Sequence, residues 1–543
     1  MILLLRYHEV NMIKSKHIQS YLTHKPTGNF DTIIIGSGMG GIATAASLAK
    51  EGKRVLVLEK HYTAGGFTHV YMRRGYMWDV GVHYVGEMQN EKNIMTKMFN
   101  YLSEGRLKWA DMGEVYDKMI FGKKVYEFVK GTDAYKAKLK EDFTAPEDGK
   151  AIDDYVDAIY AAQRSQMNYF VEKLLPTFLQ PFLSKWLRKK ALKWNKTTLE
   201  VMQGITSNKN LIAVLTGQFG DYGLPPSQSS FMMHAVLAKH YMRGGNYPIG
   251  GSGKIFDTIA PTICAAGGEI FVNAGVKEVI VKDDKAVGVR MENGDEYFAK
   301  SIVSNAGVYN TYNHLLPKEL AERKGLVSKL KGVKPSVGHV CLYIGMRHSK
   351  SSLNLGKANY WIFPDNYDHD KNIAAYLENP DAEIPVAYVS FPAAKDPDWE
   401  KEFPERSTIE IVTLAPYAWY ENWRDKEWMK RGDEYEQKKE KLSQRLMEKL
   451  FELEPQLRDK IDYYELSTPL STAHFTSYQL GELYGIDHDV ERFAQNFLRP
   501  KTPIKNLYMT GQDVVTCGVG GALSAGLLTA SAITGKNLMK RLN

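Results

Sequence analysis

Two short β-branched runs with a glycine-rich turn between them constrain this chain more than anything else in its 543 residues. Asp31-Thr32-Ile33-Ile34-Ile35 leads straight into Gly36-Ser37-Gly38-Met39-Gly40-Gly41, and an alanine-rich stretch follows from Ile42 to Lys50. Val55-Leu56-Val57-Leu58-Glu59 closes the unit. Strand, tight turn, helix and strand in about thirty residues make a βαβ unit. Gly36, Gly38 and Gly41 satisfy the GxGxxG spacing. The first glycine permits the turn, the second lets the backbone approach a pyrophosphate, and the third lets the helix pack close to the strand. Glu59 ends the second strand where an acid can accept hydrogen bonds from adenosine ribose hydroxyls. A merely flexible glycine loop would not account for Glu59, so the unit reads as a dinucleotide site.

The far end of the chain decides which dinucleotide. A glycine doublet, Ala64-Gly65-Gly66-Phe67-Thr68, follows Glu59 and Lys60. Much later, Asn506 to Asp513 reads as a strand ending in Gly511-Gln512-Asp513, and Gly518-Val519-Gly520-Gly521-Ala522 opens an alanine-rich helix running to Lys540. An acid at that strand end can hold a ribityl hydroxyl, and the second glycine-to-helix junction can bring a positive helix end near a flavin ring. Two glycine-lined approaches from opposite chain ends suit an extended FAD better than NAD. The competing reading of the tail is tight Gly/Ala helix packing.

Composition narrows the class. Hydrophobic residues at 44% and charged residues at 24% describe a globular core. Cys264, Cys341 and Cys517 are too few for a disulfide framework, and no CxxC pair or other ligand spacing points to a metal. The net charge of +7 does not indicate nucleic acid. No apolar run approaches the roughly 20 residues that span a bilayer. Met1 to Arg6 is too short for a signal-peptide core. The expected location is therefore cytoplasmic, in a reducing compartment.

Beyond the βαβ unit the pattern alternates. Residues from 148 to 240 are mostly helical, with apolar side chains from Val171 to Leu187, Phe178 among them, at three- and four-residue spacing. Four strands are expected at Glu269–Val272, Val276–Val281, Ala286–Met291 and Tyr297–Val303, then others at His339–Ile344, Val386–Phe391 and Thr408–Leu414. A charged helix spans about Gly432 to Leu453.

Five segments share one resemblance: Gly36 to Thr68; Trp78-Asp79-Val80-Gly81-Val82-His83-Tyr84-Val85-Gly86; Tyr247 to Gly253; Ser304-Asn305-Ala306-Gly307; and Thr510 to Ala522. Together they resemble the phytoene desaturase, carotenoid isomerase and retinol saturase group of the FAD-dependent amine-oxidase-like superfamily. The Asp-x-Gly-x-His-Tyr-x-Gly stretch and the Thr-Gly-Gln-Asp tail with Cys517 are most similar to the retinol saturase branch. The resemblance runs from about Asp31 to Lys540 and is thin across 100–240 and 320–470.

That resemblance implies an α/β fold in which a discontinuous Rossmann-like FAD domain (31–100, 245–315 and 495–543) interleaves with a substrate domain of mixed sheet and helices (101–244 and 316–494). An extension covers 1–30. The implied FAD contacts are Gly36, Gly38, Gly40, Gly41, Glu59, Lys60, Gly65, Gly66, Phe67, Thr68, Val276, Gly511, Asp513, Gly520, Gly521 and Ala522. No second GxGxxG follows a strand, so electrons exchange with an external donor or acceptor. The implied chemistry is saturation, desaturation or isomerisation of a carbon–carbon double bond in a lipophilic polyene, retinoid or carotenoid. Unsaturated fatty acids, an amine oxidase and a flavin- or lipid-binding protein without catalysis are the alternatives.

Candidate proton donors are His83, Tyr84 and Glu87, just past the Asp79 turn, and His474 and Tyr478, beside Ser467 to Thr472, which resembles the family's substrate-side strand. Each could instead serve as a hydrogen-bonded core residue. Cys517 offers a covalent flavin attachment, against a buried structural role. The stretch from Val171 to Trp194 combines an apolar stripe with Lys185, Arg188, Lys189, Lys190 and Lys193, the composition of a helix that docks on anionic lipid, although Pro176 and Pro181 would break it. The competing reading is a core-packed helix with a solvated basic face.

Overall fold

The computed structural model describes residues 16–175 and 179–542. Its central layer is a six-stranded, all-parallel sheet in the order Gln19–Ser20, Glu269–Val272, Val55–Leu58, Thr32–Ile35, Ser301–Ser304, Leu507–Met509. Parallel strands covered on both faces must be apolar nearly throughout, and Thr32–Ile35 and Val55–Leu58 are buried at every position. These strands come from the N-terminal, middle and C-terminal thirds of the chain. Residues 1–15 of the expected extension lie outside the described residues; Gln19 and Ser20 belong to the sheet itself.

The helix Met39–Lys50 leaves the glycine turn and packs on the C-terminal helix Gly518–Thr534. A Cβ on Gly526 would sit 2.4 Å from the Ala43 Cβ, so small residues set how closely the two helices approach. The C-terminal helix stops at Gly535, in the left-handed conformation at φ +70°, short of the expected Lys540; Leu538–Leu542 form a separate 3₁₀ turn.

A second, seven-stranded sheet runs Ile461–Ser467, His339–Met346, Ser407–Leu414, Ala387–Ser390, Asn359–Phe363, Val115–Phe121, Lys124–Val129. Only Asn359–Phe363 with Val115–Phe121 is a parallel pair. Side chains alternate across a sheet, so its two faces differ sharply. Val340, Leu342, Ile344, Ile409 and Ile411 share a core with Leu442, Leu446 and Leu450 of the helix Asp433–Phe451. The opposite face carries His339, Tyr343 and Glu410, with Tyr343 directly opposite Glu410.

Two expected strands take other forms. Tyr297–Val303 divides into Glu296–Phe298, in a three-stranded antiparallel sheet, and Ser301–Ser304, in the parallel sheet. Ser467 to Thr472 leaves its strand at Ser467 and becomes the helix Pro469–Thr476. Pro469 is suited to the first helical turn, and Thr468 and Ser471 form a reciprocal capping box there. The helical stripe from Val171 splits into the helices Pro146–Leu174 and Gln180–Ala191; Pro176 and Phe178 lie outside the described residues.

Candidate active site

The loop after Thr32–Ile35 is assembled from backbone contacts that only glycine permits. Gly36 sits at φ +94°, and its amide donates to the Leu58 carbonyl at 2.8 Å. A Cβ on Gly41 would lie 2.2 Å from the Gly36 carbonyl oxygen, and one on Gly40 2.5 Å from the Gly511 Cα and nitrogen. One on Gly66 would lie 2.8 Å from the Gly38 Cα. Segments distant in sequence thus meet at one glycine cradle at the start of a helix, where free amides and the helix dipole favour phosphate. Glu59 braces the cradle: Oε2 accepts from the Ser37 amide at 2.8 Å and hydroxyl at 2.7 Å, and Oε1 from the His61 amide at 2.9 Å.

A single cavity of about 2020 Å³ runs from this cradle to the polar face of the seven-stranded sheet. That exceeds the roughly 300–1,000 Å³ of a drug-sized site and leaves room for a dinucleotide and a second elongated molecule. Of the residues named from the sequence, Gly36, Gly38, Gly40, Glu59, Lys60 and Gly66 line it. So do Phe67, Thr68, Val276, Gly511, Asp513, Ala522 and Tyr478. Gly41 and Gly65 act behind this surface; the Gly65 amide donates to the Ser37 hydroxyl at 2.9 Å. Gly520 and Gly521 do not line the cavity; a Cβ on Gly520 would lie 2.8 Å from the Met95 sulfur and one on Gly521 2.2 Å from the Thr516 carbonyl oxygen, so both serve helix packing. Asp513 accepts from the Val308 amide at 2.7 Å and the Ile486 amide at 3.2 Å.

The candidate proton donors separate. The Tyr84 hydroxyl donates to Asp117 at 2.9 Å, with its ring stacked on Tyr241 at 4.2 Å. Glu87 is buried against Lys239 at 2.9 Å and ties its loop to the helix Phe231–Tyr241. His474 is exposed and stacks on Trp428 at 5.6 Å. The Tyr478 hydroxyl accepts from the Gln512 amide nitrogen at 3.2 Å. Cys517 is buried with Sγ 3.7 Å from the Asp221 carbonyl, and burial pushes its thiol up to about 12.

His83 belongs to a buried polar cluster. Its Nδ1 lies 3.4 Å from Glu410 Oε2. Glu410 Oε1 accepts from the Asp79 amide at 2.8 Å, and Asp79 accepts from the Tyr247 hydroxyl at 2.6 Å and the Ser252 amide at 2.8 Å. The Lys395 ammonium donates to the His83 carbonyl at 3.1 Å, to Ser390 at 2.9 Å and to Asn359. Burial raises Glu410 to about 8, with Lys395 partly offsetting it, and lowers both Lys395 to about 8 and His83 to about 4. Glu410 therefore holds a proton at neutral pH beside an uncharged imidazole. Asp79, His83 and Glu410 bring ligand-type atoms within 4.8 Å of one another, but the Lys395 ammonium beside them already supplies positive charge. His339, on the same sheet face, lines the cavity with its Nδ1 unpartnered. Glu410, Lys395 and His339 were not singled out from sequence; the one signal was a lone acid inside the apolar run Ile409-Glu410-Ile411-Val412.

The family model for flavin-containing amine oxidoreductases matches residues 39–534. The chain belongs to this family. The all-trans-retinol 13,14-reductase of Homo sapiens is 37% identical over 552 residues, covering 96% of this chain and 88% of the relative. The enzyme of that name from Danio rerio is 35% identical over 540 residues, with the same 96% and 88% coverage. Among solved structures, putrescine oxidase bound to putrescine superimposes with a TM-score of 0.62 at 15% identity, covering 94% of this chain and all of that one; this likeness concerns the fold alone. As a member of this family, the chain is a flavin-dependent oxidoreductase. The glycine cradle, Glu59 and a cavity of dinucleotide length fit FAD as its cofactor.

Proposed function

We propose that this flavoenzyme reduces a carbon–carbon double bond of a lipophilic polyene, with an external reductant restoring the reduced cofactor. The observation that carries the reading is the single cavity joining the glycine cradle to an aromatic wall that includes Tyr71, Tyr343, Tyr463 and Phe475. The two 13,14-reductases named above, at 35–37% identity, favour this chemistry over amine oxidation.

In this reading Glu59 holds the adenosine ribose, the backbone at Val276 faces the adenine, Gly38 and Gly40 admit the pyrophosphate, and Asp513 takes a ribityl hydroxyl. When bound, FAD supplies the electron pair the reduction requires. The chain supplies the proton and excludes water. Glu410 is the proton store, because its acid form persists to about pH 8. His83, 3.4 Å away, relays the proton toward the cavity-facing His339. Tyr84 and Glu87 position the loop that carries His83.

The enzyme works at a membrane surface, where such a substrate is dissolved. Among the described residues no helix is long and apolar enough to cross a bilayer. On the helix Gln180–Ala191, however, Phe182 is 78% and Trp186 55% exposed, and Met167 on the preceding helix is 64% exposed. Lys189 and Lys190 are exposed beside them, with the Lys190 ammonium 3.8 Å from the Trp186 ring centroid. Exposed aromatics flanked by lysines match anionic headgroups over an acyl layer. The test of the reading is to incubate the chemically reduced, flavin-loaded protein anaerobically with polyenes. Products heavier by two hydrogen atoms support it; unchanged polyenes with the flavin still reduced count against it.

A further inference from the structure

Charged side chains along the cavity are mostly paired. Lys60 faces Glu292 at 3.6 Å, Arg73 faces Glu465 at 2.6 Å, Lys430 faces Glu427 at 3.0 Å and Lys439 faces Glu436 at 3.0 Å. Among the described residues Arg74 and Lys277 also line the cavity without an acid partner, but both are exposed to solvent, whereas Arg431 is buried. It lines the cavity while only 8% exposed, and no Asp or Glu of the described residues lies within 4 Å of its guanidinium. Its Nε is buried without a hydrogen-bond partner. The protein gives it one long hydrogen bond, from Nη1 to the Tyr435 hydroxyl at 3.3 Å, and the Tyr435 ring at 5.2 Å. The Tyr435 hydroxyl is itself committed to Thr468 at 2.7 Å.

A buried guanidinium without an anion is costly, whereas a carboxylate can match its forked donors with two parallel hydrogen bonds. The surroundings suit the rest of such a molecule. Trp428 meets Phe475 at 5.3 Å, and Phe475 meets His61 at 4.6 Å, so aromatic rings continue from Arg431 toward the loop that follows Glu59. Tyr417 and His474 face Arg431; burial raises the Tyr417 phenol and lowers the His474 imidazole, so neither offers it a negative charge.

We infer that Arg431 anchors the carboxylate of a lipophilic acid, so that this enzyme takes a long unsaturated acid in preference to the matching alcohol. This inference deepens the polyene-reductase reading and rests on it only for the double bond; the anchor itself is a matter of binding. Bound to Arg431 by its head, the acid would lie with its chain along the aromatic wall. A phosphate of the cofactor is the other anion this guanidinium could hold, and the test separates the two.

The flavin-loaded protein is titrated with all-trans-retinoic acid and all-trans-retinol, which share one polyene and differ at the head. Hexadecanoic acid and hexadecan-1-ol serve as a second, saturated pair. The wild type is expected to bind each acid at least tenfold more tightly than its alcohol. Arg431→Gln should remove that preference with alcohol binding and flavin content unchanged, and Arg431→Lys should restore part of it. Alcohols bound as tightly as acids by the wild type, or an acid preference that survives in Arg431→Gln, would overturn the anchor. So would a loss of flavin from Arg431→Gln, which would assign the guanidinium to the cofactor. If the saturated pair shows the Arg431-dependent preference while neither retinoid is reduced, the anchor stands and the polyene reading fails.

Discussion

Glu59 and Ser37 are joined twice, amide to carboxylate at 2.8 Å and hydroxyl to the same oxygen at 2.7 Å. The acid that ends one strand therefore fixes the glycine turn that ends its neighbour. Glu59→Gln keeps the shape but replaces charge-assisted acceptance, worth roughly 1.5–3 kcal/mol per bond, with a neutral amide. FAD should bind at least tenfold more weakly, read as flavin absorbance per mole of purified protein and by titration of the apoprotein.

The cradle predicts a contrast between two glycines. Gly40→Ala drives a methyl to 2.5 Å from the Gly511 backbone, which cannot move aside as a flexible side chain would. Overpacking of this kind costs about 1–3 kcal/mol, and here it also displaces the phosphate-binding loop. Gly52, at φ +74° with nothing within 4 Å of an added methyl group, meets only backbone strain. Gly52→Ala should lower stability by about 1 kcal/mol and keep its flavin. Thermal melts with flavin release as a second signal distinguish the variants.

Much of the cofactor half could be read from sequence because its determinants are local. Gly36 to Gly41, Glu59 and Gly511 to Asp513 each lie at a strand end or a helix start, where residue type follows from backbone need. The proton cluster could not be read in this way. Glu410 reaches His83 only because Ser407–Leu414 pairs with His339–Met346 and the short strand Tyr76–Asp79 covers that face, and strand pairing over such separations leaves no local pattern. Arg431 was hidden for the opposite reason: its lack of an acid partner is a property of the folded surroundings. Ser467 to Thr472 read as a strand by resemblance, yet Pro469 and the Thr468–Ser471 capping box start a helix there.

Glu410 should give the protein a distinct pH signature. Its folded pKa, about 8, lies above the ordinary 4.5, so the folded state binds the proton more tightly. The resulting stability is fully present below about pH 4.5 and is lost as pH rises through about 8. Lys395, lowered to about 8 by the same burial, acts in the opposite sense between there and 10.5, so the useful quantity is a difference. Denaturation midpoints of the wild type minus those of Glu410→Gln should fall as pH rises from 5 to 9. Reduction by the wild type should weaken above about pH 8, and Glu410→Gln should lack that limb and run slowly throughout. A pH profile identical in the two proteins would remove Glu410 from the proton path.

The exposed aromatic helix predicts binding to lipid. Phe182→Ser with Trp186→Ser should reduce co-sedimentation with vesicles of anionic phospholipid at least fivefold, while flavin content is unchanged. Neutralising Lys185, Arg188, Lys189 and Lys190 should weaken binding most at low salt, because headgroup attraction is screened. Equal binding by all variants would leave the helix as an ordinary surface element.

The central claim is that one cavity brings a reduced flavin and a lipophilic double bond together with a proton supplied by Glu410 and His83. It is tested most directly by anaerobic single turnover, mixing the dithionite-reduced, flavin-loaded protein with retinoic acid, retinol or a carotenoid. Flavin absorbance and product mass are followed together. The account predicts that the flavin reoxidises in step with one product two hydrogen atoms heavier, and that Glu410→Gln slows both signals equally. A flavin that stays reduced while the polyenes are recovered unchanged would contradict it.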